Sequence, residues 1–428
     1  MLTAVLFGSM LLLMLGGIPI VFAIGLAALA GTLMIPDVPW IVVPTAMYNG
    51  MDSFPLMAIP FFLLAGELMN RGGIAERLIA FAQALIGHVR GGLGHTTVVS
   101  NTLLAMDTGS ALAQVAAIGR IMIPAMERGG YPRATATAIT CAASLIGPII
   151  PPSITMVIYA VAAGASVGAL FLAAIVPGLL IALCMMAYIY VMARRQKLPV
   201  GARFSLRALG TTGARAIMAL LMPFIILGGV FAGVMTPTES AAVAALYAIL
   251  VGVFVFRKLT LNDLYECFLN TGIVSGFIMV IVGAARIFSD LLASEMVPQA
   301  MMAGLLEVTH DPMWMLLLIN LLLLVVGCLM DTTAAIIILV PVLLPAIKQI
   351  GIDPTLFGLV MCINLVIGLA TPPVGAALYL ASNIGRVRLE ALIRAIWPLL
   401  LVQIGVLMLI TYVPDLSLTI PRYFGYLR

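Results

Sequence analysis

Of the 428 residues, 63% are hydrophobic and only 9% are charged, with a mean hydropathy of +1.21. A soluble domain carries about 25% charged residues, so soluble enzymes and nucleic-acid-binding modules are excluded and a polytopic membrane protein is left. The net charge of +4 fits this, because the basic residues fall in short loops between apolar runs.

In chain order, Met1-Leu2-Thr3 has no basic region ahead of the first apolar run, so that run is expected to be retained rather than cleaved as a signal peptide. Leu2 to Ile35 is expected to hold two spans joined at Gly16-Gly17-Ile18-Pro19, with the N-terminus outside. Leu56 to Asn70 follows, and then Gly72 to Gly91, too polar and too short for the roughly 20 apolar residues of a span and therefore an interfacial arm. The apolar stretch His95 to Met126 is flanked by Arg90 and Arg128, which both belong on the basic side. It cannot cross once, and a re-entrant hairpin with Asp107-Thr108-Gly109-Ser110 at its tip is the expected form. Thr135 to Ala163 and Leu170 to Val191 lead to a connection crowded with Arg194, Arg195, Lys197, Arg203, Arg207 and Arg215, which the positive-inside rule places in the cytoplasm.

Beyond that anchor, Ala216 to Val234, Ser240 to Phe256 and Thr271 to Leu292 are expected spans, and Ala293 to Pro312 is a second arm. Met313 to Ile347 enters and leaves on the outside as a second hairpin, with Asp331-Thr332-Thr333 at its tip. Of the 21 Lys and Arg residues, only Lys348, Arg422 and Arg428 fall outside, while Arg120 and Arg286 lie within apolar runs. Arg120 is expected to snorkel, and Arg286 with Asp290 to form an i,i+4 ion pair. Trp40, Trp314 and Trp397 mark span ends as interfacial anchors, and His88, His95 and His310 fall at interfaces. Cys141, Cys184, Cys267, Cys328 and Cys362 show no close pairing and read as packing residues.

The halves repeat. Met106-Asp107-Thr108 is echoed by Met330-Asp331-Thr332, and Gly147-Pro148-Ile149-Ile150-Pro151-Pro152 by Gly368-Leu369-Ala370-Thr371-Pro372-Pro373. Each break lies 17 residues after a turn glycine, Gly130 or Gly351, and the offsets run from 221 to 224. One hairpin opens inward and the other outward, so the repeats are expected to be inverted in topology, an all-α arrangement of the secondary-transporter kind. The expected divisions are 1–91, first scaffold and arm; 92–168, first hairpin and broken helix; 169–212, connecting span and cytoplasmic loop; 213–312, second scaffold and arm; 313–385, second hairpin and broken helix; 386–428, last span and periplasmic tail.

Backbone turns inside hydrocarbon are tolerated only where protein buries them or they line an aqueous cavity. If each tip meets the break of its own repeat, freed carbonyls and Thr and Ser hydroxyls form oxygen cages suited to hard cations, while helix N-termini favour an anionic substrate group. The economical reading is two sodium sites flanking a carboxylate site. The first would use Thr108, Gly109, Ser110, Gly147, Ile150 and Pro151; the second, Gly327, Asp331, Thr333, Gly368, Thr371 and Val374. Asp107, Ser153, Thr332, Pro152 and Pro373 are the candidates for the substrate. Sodium is the expected coupling ion, with no other cofactor and no transition metal. Two plainer alternatives stand beside this: the Pro-Pro pairs as kinks, and Asp107 and Asp331 as caps of half-helices.

The run Phe54-Pro55-Leu56-Met57-Ala58-Ile59-Pro60-Phe61-Phe62 with Ala65-Gly66-Glu67-Leu68-Met69-Asn70 resembles the signature of the large permease subunit of tripartite ATP-independent periplasmic (TRAP) transporters. Similar matches are Gly147 to Ser153 with Tyr159, Pro177-Gly178, Thr236-Pro237-Thr238-Glu239-Ser240 and Thr371-Pro372-Pro373-Val374-Gly375. One departure is Thr108-Gly109-Ser110-Ala111, where many members read Ser-Gly-Ser-Ser, so the third hydroxyl, at Ala111, is missing at that tip. The resemblance implies a sodium-driven importer of organic acids such as sialic acid, dicarboxylates, keto acids or sugar acids, in a bacterial or archaeal inner membrane. It further implies an elevator motion and two partners, a small four-helix membrane subunit and a soluble periplasmic substrate-binding protein. A stand-alone carboxylate carrier shares the inverted-hairpin plan and needs no binding protein. A channel lacks a ring of pore helices, and an intramembrane enzyme lacks a zinc motif or a Ser with a base.

Overall fold

The structure is a computed structural model that describes residues 2–36, 38–201, 203–309 and 311–427. His310 lies outside the described residues, and so do the side chains of Asp107, Thr108, Pro298, Met302, Leu305, Leu306 and Val308. Among the described residues the chain is helical throughout, without strands. Helices α1 (Leu2–Leu15) and α2 (Ile20–Leu33) turn at Gly17, whose φ of +81° suits glycine. α3 (Val42–Met51) meets a 3-10 turn (Phe54–Met57) and α4 (Ala58–Arg71) at a bend of 63°, where Asp52 and Ser53 leave helical geometry. α5 (Ile74–Ile86) leads to α6 (Gly92–Thr108), α7 (Ala111–Arg128), α8 (Arg133–Ser144), α9 (Ile154–Ala163) and α10 (Val167–Arg195). The second half comprises α11 (Leu206–Phe231), α12 (Pro237–Leu250), α13 (Leu261–Ser294), α14 (Val297–Val308), α15 (Pro312–Leu329), α16 (Thr332–Gln349), α17 (Pro354–Gly368), α18 (Ala376–Gly385), α19 (Leu389–Tyr412) and α20 (Asp415–Tyr423). Among the described residues, seven helices are fit by length and composition to cross a bilayer, or eight if the bent α3–α4 pair counts as one span.

Both hairpins are present, α6–α7 and α15–α16, and each is followed by a broken helix, α8–α9 and α17–α18. An offset of 221 carries the bounds of α6 and α7 to 313–329 and 332–349, within one residue of α15 and α16. In that register Ser110 and Asp331 correspond, and each is the N-cap of a returning hairpin arm. Asp107 instead sits in the last turn of α6. The Met-Asp-Thr echo, at 224, therefore does not mark equivalent positions and is corrected to the 221 register of the breaks.

Inversion is built into the packing. Arg133 Nε at the start of α8 donates to the carbonyl of Gly385 at the end of α18 (2.7 Å), and a side chain on Gly385 would collide with Thr137. At the other end, the Tyr159 hydroxyl of α9 donates to the Pro354 carbonyl opening α17 (2.7 Å), and Gly358 leaves room for the Tyr159 ring. The broken helices thus lie side by side and antiparallel. α9 also packs on α16 and α18 on α7, so each half-helix beyond a break clasps the other repeat's hairpin.

Around this unit runs a scaffold in which α13 packs on α2, α3 and α4, and α12 on α4. Arg71 at the end of α4 reaches Glu67, Asp263 and Glu266 at 3.3, 3.7 and 2.6 Å. Thr236 and Glu239 form a capping box at α12, and the Thr238 hydroxyl donates to the Phe54 carbonyl (3.2 Å), joining two of the quoted motifs.

Two expectations need correction. α11 and α13 begin at Leu206 and Leu261, ahead of Ala216 and Thr271, because Ser205 and Thr260 cap them; Arg207 and Arg215 are therefore helical. The tail after α19 folds as a helix: α20 docks on α10, and the Tyr426 hydroxyl donates to the Val230 carbonyl (3.0 Å). α1 and α2 have 14 residues each, a rise of about 21 Å against a hydrocarbon core of about 30 Å, so neither is a straight full-length span.

Candidate functional site

Each hairpin tip meets the break of its own repeat. At the first, Gly109 has φ +54° and its Cα faces the Pro152 carbonyl, so that an added Cβ would stand 3.2 Å from that oxygen. Ser110 Oγ accepts from Ala113 N (3.4 Å). Ser153 is fully buried and caps α9; its hydroxyl accepts from Met156 N (3.3 Å) and donates to the Pro148 carbonyl (2.5 Å). Gly147 is pressed against the Gln114 side chain, with an added Cβ only 2.7 Å from it. At the second, Gly375 N donates to the Cys328 carbonyl (3.2 Å), and Gly327 and Gly368 touch backbone to backbone. Asp331 Oδ2 accepts from Thr333 N (2.9 Å), and Thr371 Oγ1 donates to the Ile367 carbonyl (2.9 Å). The Pro151-Pro152 and Pro372-Pro373 bonds are both cis.

The two tips then converge on one cavity of ≈ 330 Å³. Gly109 and Ser110 line it from one side, and Asp331, Thr332 and Thr333 from the other. Pro148 and Thr155 of the first break and Leu369 of the second form its back, and Phe277, Ile278 and Ile281 of α13 close it from the scaffold. Helices α7, α9 and α16 all start at this cavity, at Ala111, Ile154 and Thr332. Their N-termini carry partial positive charge and free N–H groups, which suit an anion. Asp331 is the one charged side chain among the described lining residues, and the buried Thr332 hydroxyl has no partner among them.

The remaining sequence candidates sit elsewhere. Gly147, Ile150, Pro151, Pro152 and Ser153 are buried behind the cavity, with Ile150 lying under Gly178 of α10. Gly327, Gly368 and Thr371 form the seam between α15 and α17, whereas Pro373 and Val374 are exposed. The side chains of Asp107 and Thr108 lie outside the described residues. Sequence reasoning missed Gln114 and Thr155. Both carried a signal, since Gln114 is a polar residue one turn past the tip Ser110, and Thr155 lies three residues past the Pro-Pro pair, two beyond Ser153. Arg286 and Asp290 do form the expected pair, at 3.3 Å. Four of the cysteines are buried and all five are unbridged, and no His, Cys, Asp and Glu group fit for a metal occurs among the described residues.

Comparison with known proteins agrees with this architecture. The family model described as "Tripartite ATP-independent periplasmic transporter, DctM component" matches residues 7–416. The chain is 43% identical to the C4-dicarboxylate TRAP transporter large permease protein DctM of Pseudomonas aeruginosa, over 89% of each chain. It is 38% identical to the sialic acid TRAP transporter large permease protein SiaM of Vibrio cholerae, over 97% of each. In fold it is similar to the Alcanivorax borkumensis YdaH transporter, with a TM-score of 0.62 at 16% identity, covering 92% of this chain and 90% of that one. The helices that clasp two inverted hairpins around a shared cavity are those of a multi-pass inner-membrane transporter permease and not of an enzyme, and the chain belongs to the DctM family of TRAP transporter large permease subunits.

Proposed function

We propose that the tip cavity carries an organic acid across the membrane together with sodium, by an elevator movement of the two clasped hairpins and broken helices against the scaffold of α3, α4, α12 and α13. The observation that carries this reading is the charge at the cavity. Three helix N-termini favour an anion there, yet the described carboxylate that lines it, Asp331, repels one. At an effective dielectric of 20, two like charges about 4 Å apart oppose each other by roughly 4 kcal/mol. A co-bound cation removes that repulsion, so anion and cation bind better together than apart, which is the physical basis of coupling. The proposed ligands are the Ser110 and Thr108 region with the carbonyls of Gly147 and Ile150 for one sodium, and Asp331 and Thr333 with the Gly368 to Val374 turn for the other.

As a component of a tripartite system, the permease works with other chains. We take these to be a small membrane subunit and a periplasmic binding protein that delivers a carboxylate such as a dicarboxylate or sialic acid. Proteoliposomes holding permease, small subunit and loaded binding protein are expected to take up the acid only under an inward sodium gradient. Equal uptake with potassium in place of sodium, or without the binding protein, removes this reading.

A further inference from the structure

One face of α13 follows the seam between the scaffold and the clasped hairpins. Ile278 and Ile281 on it line the tip cavity; Val282, Ala285, Arg286 and Ser289 continue the same i, i+3, i+4 stripe into a second cavity of ≈ 240 Å³. The far wall of this second cavity comes from the clasped unit, Ile158 and Val161 of α9 and Ile337 and Pro341 of α16. Arg286 is the one charged residue among its described lining, where the uncharged polar groups are Asn49, Ser53 and Ser289. Its stem lies flat on Gly50 of α3, where an added Cβ would come within 2.8 Å of Arg286 Cβ. Asp290 takes Arg286 Nε at 3.3 Å from a third cavity of ≈ 300 Å³ that Arg286 also lines. One edge of the guanidinium is thus held, and its remaining donors are left for the cavity.

We propose that Arg286 is an anion subsite on the scaffold that takes the carboxylate of the substrate in the half of the seam remote from the basic turn Arg257–Lys258. The proposal rests on the transport reading above and deepens it. Arg286 lies eight residues beyond Ile278, about 12 Å along the helix, and it is the next charged group on that face after the tip cavity. An anion leaving or reaching the tips along the seam meets a fixed guanidinium there, with a fork geometry matched to carboxylate. Asp290 positions the fork and moderates its charge, which keeps the anion's stay short.

The test places a cysteine at Ser289 in a Cys184→Ala background, the other four native cysteines being buried. Labelling by an anionic and a cationic methanethiosulfonate reagent of similar size is then compared. We expect the anionic reagent to be favoured about tenfold, Arg286→Gln to erase that preference and Arg286→Lys to keep most of it. Succinate should slow the anionic reagent in the Arg286 protein, while uncharged succinamide should not. A reagent preference indifferent to Arg286→Gln, or equal effects of succinate and succinamide, overturns the subsite and leaves Arg286–Asp290 as a structural pair. Because labelling does not depend on transport, the two readings separate: normal labelling without uptake of any organic acid rejects the transport reading alone, and sodium-driven uptake with Arg286-independent labelling rejects the subsite alone. If Arg286→Gln fails to fold, an Asp290→Asn protein replaces it, and its anionic preference is expected to rise.

Discussion

The first break, from Leu145 to Ser153, is buried at every residue, whereas in the second Pro372 is half-buried and Pro373 and Val374 are exposed. The two derive from one pattern, so the difference lies in what faces them. Gly178 of α10 lets Ile150 approach until an added Cβ would be 2.5 Å from its Cγ1. The matching helix α19 carries Leu399 there, beside Pro398 where α10 has Pro177. Equivalent turns thus stand in unlike surroundings, one sealed and one open. In an inverted repeat, exchange of the two surroundings defines a second conformation; on the proposed elevator reading, the sealed and open breaks are the two halves of that exchange.

The sharpest way to break this comparison is at the paired glycines Gly147 and Gly368. A Cβ on Gly368 would strike the backbone of Gly327 and Cys328, whereas one on Gly147 meets the Gln114 side chain. Backbone cannot retreat and a side chain can. Gly368→Ala is expected to destabilise by more than the about 1–3 kcal/mol typical of overpacking, and Gly147→Ala by less, with Gln114→Ala restoring part of that loss. Melting of the purified permease in detergent is the measurement. Equal shifts for the two glycines would mean that the helices move apart freely at both seams.

A smaller contrast is expected at the prolines. Pro151→Ala adds an N–H in a fully buried segment, and an unsatisfied buried donor costs about 1–3 kcal/mol; at the half-buried Pro372 the new N–H can reach water. Pro151→Ala should therefore lower the melting temperature more than Pro372→Ala. On the proposed reading, both should raise the sodium concentration needed for half-maximal uptake. Unchanged sodium dependence in both would make the breaks simple kinks.

The hairpins, the broken helices and their register could be read from the sequence because each leaves a local mark: a charge pattern that puts both ends of a run on one side of the membrane, or a Pro-Pro pair that removes N–H donors. The clasp of α9 on α16 and of α18 on α7 left no such mark. Nor did the pairing of α9 with α17 and of α8 with α18 that sets those helices in place: it depends on Gly358 and Gly385, which look like any helical glycine until the Tyr159 ring and Thr137 are placed against them. The helix starts at Leu206 and Leu261 were misjudged for a related reason. Basic residues read as loop by the charge rule, although Ser205 and Thr260 carried the capping signal. At the site, the tips could be located from sequence, but the merging of both into one cavity is a tertiary fact that the motif spacing does not contain.

The smallest expected effect separates the two tip caps. Ser110 Oγ holds Ala113 N at 3.4 Å, a weak contact, whereas Asp331 holds Thr333 N at 2.9 Å with a charged oxygen. Replacing a capping side chain by alanine costs about 1 kcal/mol, and charge-assisted bonds are roughly twice as strong as neutral ones. Asp331→Ala should therefore lower stability more than Ser110→Ala. The instructive variant is Asp331→Asn, which keeps a capping oxygen and removes the charge. If Asp331 serves only to start α16, the asparagine protein melts and transports like the parent at every sodium concentration. On the proposed coupling, removal of the charge also removes the repulsion that a cation must relieve, so the substrate should bind less dependently on sodium while melting stays nearly unchanged. Titrating substrate binding at low and high sodium in Asp331→Asn, Asp331→Ala and the parent chain distinguishes the two, because a cap alone cannot change the slope of affinity against sodium.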